Sequence, residues 1–251
     1  MKKICTFITG IILFWAVNAG ANNMTVTGDM GSAIRYQLQE QVTAGDGMRT
    51  LVLSFVVPQS YESPTYRQEI SGFNLAFSPQ PQDRKESRDD RGNRIITATW
   101  SDPPRTVDVR LSCNASNVTK LKTLATQAPF PLNSVDPGVR VYLKHTDLVQ
   151  VNEPRIRERA AQLTSGVKTQ YDAVQRVISW VVDHVRYVTP PQQYDAIYSL
   201  ESGKGNCQNY SHLSAALLRS AGVPVRIVNG ITLDRGYDIS WQKGIMTFKM
   251  G

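Results

Sequence analysis

The residues SGKGNCQNY, Ser202–Tyr210, place a cysteine directly after a glycine-rich turn and at the head of an apolar segment. Gly203-Lys204-Gly205 supplies a permissive turn and Asn206 is a favoured N-cap, so Cys207 falls in the first turn of a helix. A helix N-terminus carries about half a positive charge and unpaired N–H groups, and both favour a thiolate, the reactive form of cysteine. The backbone N–H of Cys207 would also face an oxyanion formed by attack at its own sulfur. The stretch therefore offers a candidate nucleophile, Cys207, part of an oxyanion hole in the N–H of the same residue, and a supporting cap, Asn206. Taken alone, the pattern equally fits a small apolar cysteine buried at a helix start.

A thiol that cleaves amides needs a base, and the leaving amine needs a proton. The chain has three histidines, His145, His184 and His212. His212 lies five residues beyond Cys207 on the same helix, which rotates it about 140° away and shifts it about 7.5 Å along the axis. His184 flanks an apolar stripe, where a core-edge role is the default, and His145 lies in a connecting segment. The histidines are dispersed, no EF-hand loop occurs, and SGKGNC lacks the spacing of a phosphate-binding loop. No metal and no cofactor is expected.

Three helices must position the cysteine. Asn152 or Glu153 caps the first, with Pro154 in its opening turn, Ile156, Ala160 and Leu163 as its stripe, and Gly166 as its stop. Thr169 opens the second with Asp172 three residues on, and Val174, Val177, Ile178, Val181 and Val185 follow helical spacing. The third buries Tyr210, Leu213, Leu217 and Ala221, widened by Ala215, Ala216 and Leu218, and ends at Gly222 and Pro224. VRIVNGITL, Val225–Leu233, then predicts a buried strand.

The N-terminal half has a different period. AIRYQLQEQV, RTLVLSFVV, ISGFNLAFS, RIITATW and RTVDVRLSC predict short strands between Gly/Pro turns, the pattern of a β-sandwich. DRKESRDDRGNR, Asp83–Arg94, alternates in sign and predicts a solvated loop. QAPFPLNSVDPGVR, Gln127–Arg140, predicts a linker. Hydrophobic residues make up 41% of the 251, enough for one large or two modest cores. The net charge is +7 but the basic residues are dispersed without interleaved aromatics, which argues against nucleic acid as a partner. Lys2 and Lys3, the apolar run Ile4–Val17 and then Ala19-Gly20-Ala21 predict a cleaved signal peptide, 1–21, with Asn22 as first mature residue. An uncleaved anchor is the rival reading, although the run is shorter than the ~20 residues of a span. Export to the periplasm or the extracellular space, with no membrane insertion once the signal is removed, is the expectation. The domains expected are a β-sandwich over 22–126, a linker over 127–150 and a helical domain over 151–251.

The stretch from Asn152 to Leu233 resembles the transglutaminase-like superfamily, relatives of papain-like cysteine proteases. The resemblance rests on AQLTSG, then YDAVQRVISWVVDHVRYV, then GKGNCQNYSHLSAALLRSAGVPVRIVNG, in that order. It implies an α+β fold with a β-sandwich before a papain-like domain, as in exported bacterial members. It also implies Cys207 as the nucleophile of thiol acyl transfer, with a protein or peptide as substrate. The family's His and Asp or Asn lie on strands after the cysteine; here His212 is the one histidine after Cys207, and Asp234 and Asp238 come too early. The expectation is a catalytic domain cut short and inactive as it stands. A non-catalytic binding or scaffold protein on the same fold is the alternative, and a Cys113–Cys207 disulfide is the third reading. Hydrolysis and cross-linking differ only in whether water or an amine takes the acyl group, and the sequence does not separate them. Neither the substrate nor the oligomeric state is legible.

Overall fold

The structure is a computed structural model that describes residues 28–121 and 127–230, together with the backbone of 237–242 and 245–250. The signal peptide and Asp234 lie outside the described residues. The fold is α+β. The strands of the N-terminal half are β1 (Gly28–Thr43), β2 (Thr50–Val56), β3 (Tyr61–Glu62), β4 (Tyr66–Ser78), β5 (Asp83–Arg88), β6 (Arg94–Ser101) and β7 (Thr106–Leu121). They form a four-stranded sheet ordered β1-β7-β4-β3 and a three-stranded sheet ordered β2-β6-β5. The described residues divide into two compact units. One takes its residues from Met1–Leu51, Pro58–Gln82 and Thr99–Thr123, the other from Val52–Val57, Asp83–Ala98 and Leu124–Gly251.

In the first unit β1 runs antiparallel to β7 from Gly28 opposite Leu121 to Thr43 opposite Thr106. Alternation decides which face is buried: Leu75 and Phe77 of β4, and Val107, Val109, Leu111 and Cys113 of β7, point inward. Within this unit Phe77 meets Trp100 of β6 edge-on, with ring centroids 5.2 Å apart. The indole N–H of Trp100 donates to the Pro79 carbonyl at 3.2 Å, so this buried ring leaves no orphan donor.

The charged segment Asp83–Arg94 is not all loop. Its first half is strand β5, with all six residues exposed. Arg94 pairs with Glu86 across the two strands, at 2.7 Å for Nη2–Oε2, and this ion pair holds the Glu86 carboxyl below its ordinary range. Alternating charge thus suits an exposed edge strand as well as it suits a loop. The Asp89 carboxylate closes the following turn by accepting from the backbone of Arg91 and Asn93.

The second unit contains four α-helices: α1 (Pro154–Thr164), α2 (Gln170–His184), α3 (Ala196–Ser202) and α4 (Cys207–Ser220). Two-residue strands β8 (Arg186–Tyr187) and β9 (Lys204–Gly205) pair in parallel, and β10 (Tyr237–Gln242) pairs antiparallel with β11 (Ile245–Met250). Glu153 caps α1 without a side-chain bond, and Thr169 caps α2 by accepting from Asp172 N. Ile156, Val177, Val181, Leu213 and Leu217 form the centre of the core, while Ile178 of the α2 stripe is 39% exposed. The segment 127–150 holds a 3-10 helix, Pro137–Leu143, and sends Val149 into that core. No strand forms over Val225–Gly230. Val225 N reaches Tyr142 O, while Val225 O is taken by the Arg219 guanidinium, so this carbonyl serves a side chain instead of a strand neighbour. Among the described residues no helix is long and apolar enough to cross a membrane.

Truncating Trp100 to alanine should cost about 3–5 kcal/mol, the usual figure for an emptied aromatic site. Trp100→Phe should cost less, since it keeps the ring edge contact and removes the donor together with its bond. Urea titrations followed by far-UV circular dichroism measure both; equal losses for the two variants would mean that the ring contact contributes little.

Candidate active site

Cys207 is exposed, carries a free thiol and is the first residue of α4. Its position is fixed from three directions. Behind it, Gly203 takes a left-handed conformation, φ 61°, as the C-cap of α3 and turns the chain into β9. A Cβ there would also lie 3.2 Å from the His184 carbonyl oxygen. Beneath it, the β8–β9 ladder ties the approach to the end of α2 through Arg186 N to Gly203 O and Val188 N to Gly205 O, both 2.9 Å.

The third constraint is a capping box. The Asn206 side chain accepts from Gln208 N at 3.0 Å and from the Asn209 backbone, while Asn206 N donates to Asn209 Oδ1 at 3.1 Å. Asn209 is fully buried. Its Nδ2 donates to Gln193 O at 3.0 Å and to Ser199 Oγ at 2.9 Å. Ser199 Oγ in turn donates to Asp195 O at 2.9 Å. One carboxamide thus joins the head of α4 to α3 and to the loop before it. Gly205 is required by the same packing, because a Cβ on it would fall 2.2 Å from Asn209 Cβ. Asn209, Ser199 and α3 were not found from sequence. The asparagine three residues after Asn206 was the available signal, being the N3 position of a capping box.

At the start of α4 the N–H groups of Gln208 and Asn209 bond the Asn206 side chain and that of Tyr210 bonds the Asn206 carbonyl, so the N–H left to meet charge that develops on a carbonyl attacked at the sulfur is that of Cys207. None of the three imidazoles bonds to the Cys207 sulfur. His184 Nε2 donates to Leu200 O at 2.8 Å, and its ring stacks on Trp180 at 4.4 Å, with the Arg159 guanidinium 5.0 Å from that indole. His212 Nδ1 donates to Tyr194 O at 2.6 Å, and His145 Nδ1 accepts from Asn152 N at 3.5 Å. Among the described residues no group of three or more His, Cys, Asp or Glu could hold a metal ion.

Residues 157–246 match the family model of the transglutaminase-like superfamily, a span that includes Cys207 and all four elements around it. The chain carries a transglutaminase-like domain. Two solved structures are similar to it. A candidate cysteine protease from Cytophaga hutchinsonii is 17% identical, with a TM-score of 0.59 over 78% of this chain and 67% of its own. A candidate protease from Parabacteroides distasonis is 9% identical, with a TM-score of 0.27 over 77% of this chain and 56% of its own. The first shares the fold; the second is too different in shape to bear on the site. No curated protein matches the chain.

Cys113 is the other described cysteine of the chain and is also free, so the disulfide reading is set aside. It is buried in the first unit, and desolvation raises the pKa of its thiol, whereas the sulfur of the transglutaminase-like domain faces water. Iodoacetamide should therefore label Cys207 in the native protein and leave Cys113 untouched until the chain is unfolded. Peptide mass mapping with Cys207→Ser as the control reads this out; native labelling of Cys113 would show that its burial is transient.

Asn209→Ala should destabilise by about 2–3 kcal/mol, because it removes the partner of Asn206 N and of two acceptors, one of them the buried Ser199 hydroxyl. Asn209→Asp should be worse at neutral pH, since its carboxylate would face the Gln193 carbonyl in a buried site. Burial raises that carboxyl in the folded state, so the extra penalty should be absent below the unfolded value of about 3.9 and should grow as pH rises. Urea midpoints between pH 3.5 and 8 test the order, and an aspartate variant equal to wild type at pH 7 would remove Asn209 from its central place.

Proposed function

We propose that the chain is a thiol acyl-transfer protein acting on peptide or amide bonds through Cys207. The observation that carries this reading is an exposed free thiol at the first position of a rigidly capped helix within a transglutaminase-like domain. The thiolate attacks the carbonyl carbon, the resulting oxyanion is met by the backbone N–H of Cys207, and the amine leaves with a proton as the thioester forms. Water then releases the acid; an amine in its place would give transamidation. Hydrolysis is preferred because export, which the N-terminal residues suggest, brings the protein to bulk water and extracytoplasmic peptides. The protein similar in fold is described as a candidate cysteine protease, which agrees with this choice.

A second reading is a binding or scaffold protein on the same fold. It is favoured by one observation: all three imidazoles are engaged with backbone groups and none with Cys207. Amide turnover by the 251-residue chain should then be near background, since a missing base costs nearly as much as a missing triad.

Activated esters separate the two readings, because p-nitrophenolate leaves without a proton. A p-nitrophenyl acyl ester should acylate Cys207 in a single burst of about one equivalent per chain, leaving a thioester that mass spectrometry locates on that residue. The burst should vanish in Cys207→Ser, and a peptide amide should turn over at near-background rate in both forms. No thioester at Cys207 would leave the scaffold reading standing. Rapid amide turnover that depends on Cys207 would show that a base does reach the sulfur.

A further inference from the structure

β1 is one edge of the four-stranded sheet of the first unit and is 16 residues long, where an ordinary strand has about five or six. The opposite edge, β3, has two residues. Unpaired N–H and C=O groups make an open edge a template for another strand, so edges are blunted by shortness, proline, a bulge or a charge turned inward. β1 has no proline, and its register with β7 runs unbroken from end to end. Glu40 turns a charge onto the face it shares with buried Val109 and so guards the second half of the strand. Over Gly28–Tyr36 the residues on that face, Met30, Ser32, Ile34 and Tyr36, carry no charge. We infer that this half of β1 pairs antiparallel with β1 of a second copy of the chain, about a two-fold axis at Ser32.

The hydrogen-bond directions expose the groups that such pairing needs. Ala44 N donates to Arg105 O at 2.9 Å, one step beyond the last pair of the ladder, so even-numbered residues of β1 direct their backbone groups to β7. The far end agrees: Lys120 N donates to Thr65 O at 2.8 Å, so even-numbered residues of β7 turn away from β1. Asp29, Gly31, Ala33 and Arg35 therefore aim N–H and C=O at the open edge, where no described strand pairs with them.

Charge and face together choose the register. For each face of the sheet to continue across the junction, odd-numbered residues must meet odd-numbered ones. β1 has three charged residues, Asp29, Arg35 and Glu40, and Glu40 is on the other face from the first two. Centring the pair on Ser32 sets Asp29 opposite Arg35 twice, and no other register that keeps the faces continuous joins unlike charges. Centring on residue 29, 35 or 40 would set like charges against each other. Asp29 and Arg35 are exposed, and neither makes an ion pair among the described residues. Lys120 lies opposite Asp29 on β7, so each aspartate would sit between two cations about 10 Å apart, roughly one Debye length. The two copies of Arg35 stay about 20 Å from each other. On the inner face Met30, 55% exposed, meets Ile34 of the second copy, and Ser32 meets its own copy. These are non-hydrogen-bonded pairs, whose side chains approach most closely. The result is one continuous eight-stranded sheet, an isologous dimer of ordinary dimensions. The inference concerns strand pairing alone and holds whatever Cys207 does.

Sedimentation equilibrium of the full 251-residue chain should show monomer and dimer in exchange. Ala33→Pro removes an outward N–H and no bond to β7, so it should abolish the dimer and leave the far-UV circular dichroism unchanged. Arg35→Glu should weaken the dimer by about tenfold or more, and adding Asp29→Lys in the same chain should bring it back to within about threefold of wild type. Ser32 alone lies opposite itself, with Cα atoms about 4.5 Å apart, so Ser32→Cys on a Cys207→Ser background should give a disulfide-linked dimer on mild oxidation. Ile34→Cys, about 14 Å from its copy, should not. A chain that stays monomeric over about a hundredfold range of concentration, a dimer indifferent to Ala33→Pro, no recovery in the double variant, or equal cross-linking of the two cysteine variants would each overturn the pairing.

Discussion

The buried carboxamide of Asn209 is the interaction on which the candidate site depends. It accepts from Asn206 N, the residue that caps the cysteine helix, and donates to Gln193 O and Ser199 Oγ. Every polar atom of the amide is therefore used, and among the described residues no buried side-chain polar atom lacks a partner. A half-satisfied amide at this depth would be a liability, whereas a satisfied one fixes a single geometry. Gly205 follows from it, because the amide stem occupies the space a Cβ would need. The parallel β8–β9 ladder follows in turn, since the chain passes Gly205 on the way to the cap.

Helix α4 has two ends with opposite requirements. From Leu213 to Arg219 nearly every residue is buried, because α1, α2 and α3 all pack against it. Its first turn keeps Cys207 and Gln208 in water. The buried end supplies the rigidity that the exposed end needs, so the sulfur is accessible without being mobile. That combination suits a nucleophile better than a structural thiol, which is how Cys113 sits in its sheet.

The two periodicities were legible in the sequence because each reports burial directly. Alternation in β4, β6 and β7 and the spacing of Ile156 and Ala160, or of Val177 and Val181, mark residues that are buried in the structure. The caps Thr169 and Asn206 were legible because short polar side chains before an apolar run have few other uses. Helix α3 was not, because seven residues give too short a period to separate from a loop. Its partners are also long-range: Ser199 contacts a residue ten positions on, and Ile197 N bonds the Gln150 side chain 47 positions back. The strand expected at Val225 failed for a related reason. An apolar run specifies burial, but a strand also needs a neighbour, and here a guanidinium claims the carbonyl instead.

Arg219 shows how packing and charge meet in one residue. Its reach from α4 to Lys144 and Val225 ties the segment before α1 and the segment after α4 to the same helix. The guanidinium fork bonds two carbonyls from separate segments at once, those of Lys144 and Val225. The fold thus gains a cross-link by burying a cation whose donors bond carbonyls from both segments.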